Sequence, residues 1–237
     1  MTTQRRMPDH AAAFDRLSEG GELYRYLPAS IETVDTLVPG KRRLLDLGCG
    51  DGVLTAQLDT LLAVGVDISQ HCAALARRRG VPALAADMRR GLPFRDGAFD
   101  TVHCINVLHH LHGAWDGLLG EIARVLEPGG TLAIVEPDAR NAFVRITQAP
   151  NSWLRVAPCN DEPAVSPNDL VPMLERHRFS FRQGTLQLDG DQADHGAFPL
   201  WQRVLKAPFV LALWWWWRKQ PNKFVCIARK EVPNHGV

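Results

Sequence analysis

A glycine-rich turn near residue 50 has the residue types and spacing of a ligand-binding loop. It has the pattern D-x-G-x-G-x-G over residues 46–52, follows a short apolar strand predicted at 43–47 and precedes a helix predicted at 53–59. Glycines let a backbone turn tightly and let a ligand approach it closely, and the start of a helix offers unpaired N–H groups. A dinucleotide-binding turn has the pattern G-x-G-x-x-G instead, and its third glycine would fall at Val53. The turn therefore predicts a nucleotide-like ligand and disfavours a dinucleotide.

Two aspartates end the next two predicted strands. Asp67 follows the strand at 61–66 and lies 17 positions after Gly50, and Asp87 follows the strand at 83–86. A carboxylate at the end of the second strand can accept hydrogen bonds from both hydroxyls of a ribose. Taken alone, Asp67 would suit a nicotinamide cofactor as well.

Further phrases in chain order carry a resemblance to a known family. They read F-D-T-V at 99–102, N-V-L-H-H-L at 106–111 and E-I-A-R-V-L-E-P-G-G at 121–130. With the glycine-rich turn and the two strand-end aspartates, they resemble the class I S-adenosylmethionine (SAM)-dependent methyltransferases, in particular the group related to UbiE-type and type 11 enzymes. The resemblance runs from about residue 40 to residue 138. It implies SAM as the cofactor and methyl transfer as the activity.

The resemblance also implies which residues bind the cofactor. Asp46 would lie near the amino group of SAM or a bound water, although it could simply cap local N–H groups. Asp67 would hold the ribose, Asp87 would accept from the adenine amino group, and the N–H of Met88 would face a ring nitrogen. The segment that starts at Asn106 would pass beneath the methionine part. The complete predicted set is Asp46, Gly48, Cys49, Gly50, Asp67, Ile68, Asp87, Met88 and Asn106.

Two adjacent histidines are the candidates for acid–base chemistry. His109 and His110 titrate near neutral pH, so either could serve as a general base. The alternative is that one packs under the cofactor and the other caps a helix. His112 lies close by, but no cysteine or carboxylate stands at ligand spacing around the cluster, so we expect no metal site.

The elements that position these residues alternate between strand and helix from residue 43 to residue 137. This rhythm predicts an α/β fold of right-handed βαβ units. The resemblance specifies it as a Rossmann-like class I methyltransferase fold. Such a fold has a seven-stranded, mostly parallel sheet with the last strand antiparallel and helices on both faces.

The predicted domain organisation places a helical cap at residues 1–40 before the methyltransferase domain at 41–237. Insertions at 138–165 and 190–221 are expected to cover the acceptor site. The segment 198–219 holds five of the seven tryptophans, and its uncharged run is too short to span a bilayer. We predict that this segment either forms an apolar lid packed on the core or makes peripheral contact with a membrane surface. Both alternatives favour a hydrophobic or lipid-linked acceptor.

Composition narrows the classes of partner. Lys and Arg number 27 and Asp and Glu number 26, so there is no overall attraction to nucleic acid. The short basic clusters at 41–43, 77–79 and 89–90 are interpreted as solvated faces. The five cysteines form no C-x-x-C pair, and no apolar run near residue 1 suits a signal peptide, so we expect a cytoplasmic protein. The sequence leaves the oligomeric state open.

The expected reaction is an in-line methyl transfer from SAM to a small acceptor. Two other classes stay open: a non-catalytic SAM-binding or membrane-interface protein, and an NAD-dependent oxidoreductase on a similar sheet. A nucleic-acid methyltransferase is disfavoured because N-V-L-H stands at 106–109 in place of an N-P-P-Y-type phrase. The residues of the common core do not identify the acceptor, because the cofactor supplies the reactive group.

Overall fold

The computed structural model describes residues 28–148, 164–186 and 222–232, and in this part of the chain seven strands form one sheet. The strand order is β3-β2-β1-β4-β5-β7-β6. Strands β1 to β5 pair in parallel, and β7 pairs antiparallel with both β5 and β6, which confirms the predicted fold class. The elements are α1 (Pro28–Thr36), β1 (Arg43–Leu47), β2 (Leu62–Asp67), α2 (Gln70–Arg78), β3 (Ala83–Ala85), β4 (Phe99–Ile105), α3 (Trp115–Val125), β5 (Leu126–Pro137), α4 (Ala142–Gln148), α5 (Pro167–Arg176), β6 (Phe179–Leu186) and β7 (Lys223–Lys230).

Apolar residues on both faces of the central strands explain why the sheet is buried on both sides. In β1, Leu45 and Leu47 join the core cluster on one face, and Leu44 joins the cluster on the other. Such continuous apolar runs are typical of parallel strands. Helices α3 and α5 cover the first face, whereas α1 and α2 cover the second. Residues that end β1, β2 and β4 consequently meet at one edge of the sheet, because these strands run parallel.

Sequence features of α3 and α2 explain which side of a helix faces the sheet and where a helix begins. The buried side chains of α3 recur at helical spacing, so one stripe faces the sheet: Trp115, Leu118, Leu119, Ile122 and Val125. At the start of α2 the Ser69 hydroxyl accepts a hydrogen bond from the backbone N–H of Cys72 at 2.9 Å and so caps the helix.

The prediction of a helix at 53–59 is wrong, since this segment has only a single 3-10 turn at Thr55–Gln57. Its backbone and side chains instead make hydrogen bonds with other elements. The Thr55 hydroxyl donates to Asp46, and the N–H of Asp59 donates to the Asp35 carboxylate at 2.9 Å rather than to a helical carbonyl. Leu58, at φ −81° and ψ 139°, is already extended.

Strand β5 begins at Leu126 and includes the Pro-Gly-Gly segment at 128–130. A shift of register between Phe99 and Thr101 accommodates this segment. Strand β6 runs from Phe179 to Leu186. Residues 1–27 of the predicted cap, residues 149–163 of the first predicted insertion and the aromatic segment 198–219 lie outside the described residues. Within the described ranges, no helix is long and apolar enough to cross a membrane.

Candidate cofactor site

A cleft opens at the carboxyl edge of the sheet, above the ends of β1, β2 and β4. Its walls are Gly48, Asp67, Ile68, Asp87, Met88, Arg89, Asn106, Val107, His110 and Leu111. Seven of the residues predicted from sequence are among them: Gly48, Asp67, Ile68, Asp87, Met88, Asn106 and His110. The predicted residues Asp46, Cys49, Gly50 and His109 are absent from the walls, and the structure gives each a different position.

The glycine-rich turn closes tightly over the end of β1. Gly48 has φ +70°, Gly50 has φ +54° and Gly52 has φ +76°, a region that residues with a Cβ rarely adopt. A Cβ at Gly48 would lie 2.3 Å from the Cγ2 atom of Val107, which lines the cleft from the opposite side. The backbone N–H of Gly48 donates to the Val66 carbonyl at 2.7 Å. The turn therefore requires glycine at position 48 both for its backbone angles and for its contact with Val107.

Asp67 joins this turn to the end of β2. Its Oδ2 atom accepts the N–H of Gly50 and its Oδ1 atom accepts the N–H of Ser69, both at 2.9 Å. The side chain is largely buried and forms part of the cleft wall. Two backbone donors hold the carboxylate in one orientation, and a carboxylate has about four lone-pair positions for hydrogen bonds. Asp67 is thus suited to accept hydroxyl donors from a ribose.

Asp46 lies beneath the turn rather than in the cleft. It is 4 % exposed, and the Thr55 hydroxyl donates to its Oδ2 atom. Burial raises the pKa of Asp46 to about 7, and the nearby charge of Asp67 adds to this increase although the Thr55 hydrogen bond opposes it. The carboxylate is consequently poised to change its charge near neutral pH.

Cys49 and Gly50 support the turn from behind. The Cys49 thiol packs against Gly65, where an added Cβ would lie 2.5 Å from its sulfur. Burial raises the pKa of this thiol well above its usual range, so it is unreactive as a nucleophile. Gly50 contributes the N–H that binds Asp67. Both residues contact the cleft only through the residues they hold.

Asp87 forms a bidentate ion pair with Arg89 on the cleft wall. The Arg89 guanidinium donates to its two oxygens at 2.8 and 2.9 Å, and the Arg89 backbone N–H donates to Oδ1 at 3.1 Å. These hydrogen bonds lower the pKa of Asp87 and keep it charged. Sequence analysis did not predict this ion pair between Arg89 and Asp87.

Asn106 bends the chain at the end of β4. It has φ +57°, a left-handed conformation that asparagine tolerates better than most residues. Its Oδ1 atom accepts a hydrogen bond from Nζ of Lys223 at 2.7 Å, although 117 positions separate the two residues. Lys223 begins β7 and is 7 % exposed. Sequence reasoning missed it; a signal was available, because a lysine inside a predicted strand is seldom fully buried unless it is paired.

The two predicted histidines have separate positions. His109 is buried, and its Nδ1 atom lies 2.7 Å from Oε2 of Glu136, a strand-end residue of β5 that sequence analysis did not select. The other Glu136 oxygen accepts the N–H groups of Val107 and Leu108, both at 2.6 Å. Burial alone would raise the pKa of Glu136, but the His109 contact and the two N–H groups lower it. Glu136 therefore fixes the loop that carries both imidazoles.

His110 lies in the cleft wall in front of this pair. Its ring centroid is 3.9 Å from that of His109, with the two planes tilted by 46°. Of the two imidazoles, the structure thus brings His110 to the cleft and places His109 behind it. Within the described ranges, no group of three His, Cys, Asp or Glu side chains could hold a metal ion.

Comparison with known proteins agrees with this geometry. Residues 45–134, which include most of β1, all of β2 to β4 and most of β5, match the family described as methyltransferase domain. Residues 45–134 thus carry a methyltransferase domain. This match confirms the resemblance seen in the sequence, and with it SAM rather than a nicotinamide as the cofactor.

Relatives of the methyltransferase domain have different described acceptors. Demethylmenaquinone methyltransferase of Corynebacterium kroppenstedtii is 40 % identical over 100 residues, which are 41 % of this chain and 42 % of the relative. Probable tRNA methyltransferase 9B of Homo sapiens is 38 % identical over 93 residues, which are 38 % of this chain and 20 % of the relative. The similarity thus spans less than half of either relative's length.

Solved structures extend the similarity of fold to almost the whole chain. The crystal structure of the [4+2]-cyclase SpnF aligns with a TM-score of 0.67 at 20 % identity and covers 98 % of both chains. This likeness concerns the fold alone. Since that protein is described as a cyclase, the methyltransferase fold does not by itself specify the reaction.

Proposed function

We propose that this protein binds SAM in the strand-end cleft and transfers its methyl group to a small hydrophobic acceptor. The observation that carries the proposal is the position of Asp67. Its carboxylate is held by the glycine-rich turn on one side and by the start of α2 on the other, at the wall of the cleft. A nucleoside bound there would place its ribose hydroxyls within reach of an oriented acceptor.

The residues present fit this cofactor. Gly48 admits a close backbone approach that no other residue would allow, since a Cβ there already clashes with Val107. Asp87 would hold the adenine amino group while it shares its oxygens with Arg89, and the N–H of Met88 would face the ring. The apolar walls, formed by Ile68 and Leu111, suit an adenine face. The complete set that we propose to bind SAM is Asp46, Gly48, Cys49, Gly50, Asp67, Ile68, Asp87, Met88 and Asn106, with Asp46, Cys49 and Gly50 acting from beneath the turn.

The protein contributes to the reaction by aligning the acceptor with the cofactor and by excluding water. SAM supplies a methyl group on a positively charged sulfur, which is already activated for transfer. The chain must therefore hold the acceptor atom in line with that sulfur, and alignment of this kind can contribute about 7–11 kcal/mol. Val107, Ile68 and Leu111 in the walls keep water from the reacting atoms.

His110 is the residue that we propose as the base when the acceptor is a hydroxyl. It lines the cleft, whereas His109 uses its Nδ1 atom to bind Glu136. His109 then acts as support, because its ring packs against that of His110 and its contact with Glu136 fixes the loop. An acceptor that has no proton to lose would make His110 dispensable.

The chain topology supports an acceptor site roofed by the two predicted insertions. The segment 138–165 starts directly after Pro137, and the segment 187–222 joins Leu186 to Lys223. Leu186, Lys223 and Pro137 are register partners, so both segments start from the edge of the sheet that bears the cleft. We propose that these segments cover the acceptor. The tryptophans of 198–219 then favour a hydrophobic or lipid-linked molecule and allow peripheral contact with a membrane surface.

Charge pairing favours a small molecule over RNA. In each of the three basic clusters, an arginine is paired with a carboxylate of the chain itself. Arg43 pairs with Glu127, Arg79 pairs with Asp51 at 3.2 Å, and Arg89 pairs with Asp87 at 2.8 Å. Paired arginines contribute less to the attraction of phosphates. Methylation of tRNA, suggested by the human relative, is the second candidate.

A turnover assay tests the proposal. The purified chain is incubated with methyl-labelled SAM and a panel of quinols, phenols, acyl carrier-linked acids, lipids and bulk tRNA. Label transferred to one hydrophobic class supports the proposal, and label in tRNA alone supports the second candidate. Tight binding of SAM with no transfer to any acceptor would instead favour the non-catalytic alternative.

A further inference from the structure

A groove separate from the cofactor cleft opens on the face of the sheet that α1 covers. It has a volume of about 460 Å³, and no described residue lines both this groove and the cleft. Its apolar walls are Leu37, Val38, Pro39, Phe181 and Ile227. Leu37 and Ile227 also pack against the core cluster on this face. The groove thus offers a partly apolar space outside the cofactor site.

The groove and the cleft lie toward opposite ends of the strands. Thr131 lines the groove and pairs with Thr101, near the start of β4. It also pairs with Arg229, near the end of the antiparallel strand β7. The cleft lies beyond the other end of β4, where Asn106 and Val107 line it. A molecule in the groove therefore does not compete with a ligand in the cleft.

Two arginines on neighbouring strands line this groove. Arg229 of β7 is the register partner of Ser180 on β6, and Arg182 lies two residues after Ser180. Residues at this spacing point to the same face of the sheet, and such diagonal partners lie about 7–8 Å apart. The guanidinium of Arg229 is held at its base, because its Nε atom donates to the Gly129 carbonyl at 3.1 Å. Both exposed guanidinium groups can therefore reach one anion bound between them.

The positive charges of these two arginines are not balanced by carboxylates within the described ranges. Neither Arg182 nor Arg229 forms an ion pair there, and the described walls of the groove contain no acidic residue. Asp100 at the start of β4 and Glu127 at the start of β5 pair with Arg43 instead. The groove consequently carries two positive charges beside an apolar surface.

Charge and shape together indicate the class of ligand. A phosphate monoester carries a charge of about −1.5 to −2 at neutral pH, which matches two guanidinium groups. Arginine donates two parallel hydrogen bonds to phosphate oxygens, and the nearby Thr131 hydroxyl can donate another. A carboxylate would neutralise only one of the two charges. The apolar walls suit an alkyl chain, which a bare phosphate ion lacks.

We propose that this groove binds a soluble phosphate monoester with an apolar tail. Arg182 and Arg229 bind the phosphate, and Leu37, Val38 and Ile227 contact the tail. The site is independent of the proposed methyl transfer, because it shares no described residue with the cofactor cleft. It gives the protein a second ligand site at the other end of the sheet.

Titration of the full chain with dodecyl phosphate, below the concentration at which micelles form, tests the proposal. Calorimetry should show one molecule bound per chain. Inorganic phosphate lacks the tail and dodecanol lacks the charge, so each should bind at least about 10-fold more weakly. Dodecanoate, which has a single negative charge, should also bind more weakly than dodecyl phosphate.

Arginine variants locate the bound phosphate. Arg182→Gln and Arg229→Gln should each weaken dodecyl phosphate about 5- to 10-fold, as expected for exposed charge-assisted hydrogen bonds, and the double variant should abolish binding. Arg78→Gln is the matched control. It removes the same charge from an exposed position of α2, which packs beside β2 and β3 at the other end of the strand order, so affinity should not change. Unchanged midpoints of urea unfolding should report that all of these variants fold.

The other outcomes contradict separate parts of the proposal. Unchanged affinity in the double variant, or an equal loss in Arg78→Gln, would overturn the assignment of the phosphate to this groove. Equal affinity for dodecanoate would overturn the phosphate head group, and equal affinity for inorganic phosphate would overturn the apolar tail. Binding to vesicles that contain phosphatidic acid, without binding of dodecyl phosphate, would overturn a soluble ligand and assign the groove to a membrane surface.

Discussion

The carboxylate of Asp67 accepts the backbone N–H of Gly50 at 2.9 Å, and this bond ties the glycine-rich turn to the end of the second strand. A residue expected to bind a ligand thus also holds the loop that borders the ligand site. The second oxygen of Asp67 accepts the N–H of Ser69, so the same carboxylate fixes the entry into α2. The side chain that we propose as the ribose acceptor therefore also has a structural role.

Gly48→Ala should destabilise the fold and abolish cofactor binding. The new Cβ would lie 2.3 Å from Val107 Cγ2 in a backbone with φ +70°. Gly40→Ala is the control, because its φ is +72° but, its chain neighbours aside, no atom of the described residues lies within 4 Å of the added Cβ. Urea unfolding should give a loss of about 1–2 kcal/mol for Gly40→Ala, the cost of the backbone alone, and a larger loss for Gly48→Ala. Equal losses would show that the contact with Val107 is not decisive.

Asp46→Asn should remove a pH dependence of stability. The pKa of Asp46 is raised from 3.8 to about 7 in the folded state, so its favourable contribution is complete below about pH 4 and is lost as the pH rises through 7. The free energy of unfolding of Asp46→Asn, relative to the unmodified protein, should therefore increase from pH 4 to pH 7 by up to about 1.4 kcal/mol per unit. Thr55→Val, which deletes the donor to Asp46, should move this range upward. A pH-independent difference would argue against a buried, protonated Asp46.

His103→Leu should show the opposite trend at acid pH. This imidazole is fully buried in β4, and neither ring nitrogen has a hydrogen-bond partner among the described residues. Burial, together with the Lys41 charge, lowers the pKa of His103 from 6.5 to about 3. The unfolded chain takes up a proton below pH 6.5 that the folded chain does not, so the unmodified protein loses stability as the pH falls from 6.5 to 3. The advantage of His103→Leu in chemical denaturation should grow over this range. An advantage that is constant with pH would contradict a neutral, buried His103.

His110→Ala should lower turnover with hydroxyl acceptors without weakening cofactor binding. A general base contributes about 100- to 10,000-fold, so kcat should fall by at least about 100-fold while the affinity for S-adenosylhomocysteine stays within about 3-fold. His112→Ala is the control, since this imidazole packs 4.8 Å from the Trp115 ring and is not part of the cleft wall. Similar losses in both variants, or none in His110→Ala, would remove His110 from the chemistry.

Local patterns predicted those features that depend on neighbours in the sequence. Asp67 and Asp87 were identifiable because a polar residue that follows an apolar run marks the end of a buried strand. Ser69 was identifiable as a cap for the same kind of reason, since its partner Cys72 lies three positions later. The order of the strands followed from the alternation of strand and helix and from the family resemblance.

Long-range contacts account for what the sequence could not predict. At the end of the helix expected at 53–59, the Asp35 carboxylate of α1 accepts the backbone N–H of Asp59, which a helix would direct to a carbonyl. The difference between His109 and His110 depends on Glu136, which is 27 positions away. Lys223 reaches Asn106 from a strand 117 positions later, and no pattern of spacing or periodicity reports such a contact.

Calorimetric titration of the purified chain with SAM and S-adenosylhomocysteine tests the central claim most directly. We expect micromolar affinity in the unmodified protein and in Glu175→Ala, an exposed carboxylate change in α5. In Asp67→Ala the affinity should fall by about 100-fold, because the ribose acceptor and the tether of Gly50 are lost together. Absence of binding by folded, unmodified protein, or unchanged affinity in Asp67→Ala, would contradict the cofactor site described for this cleft.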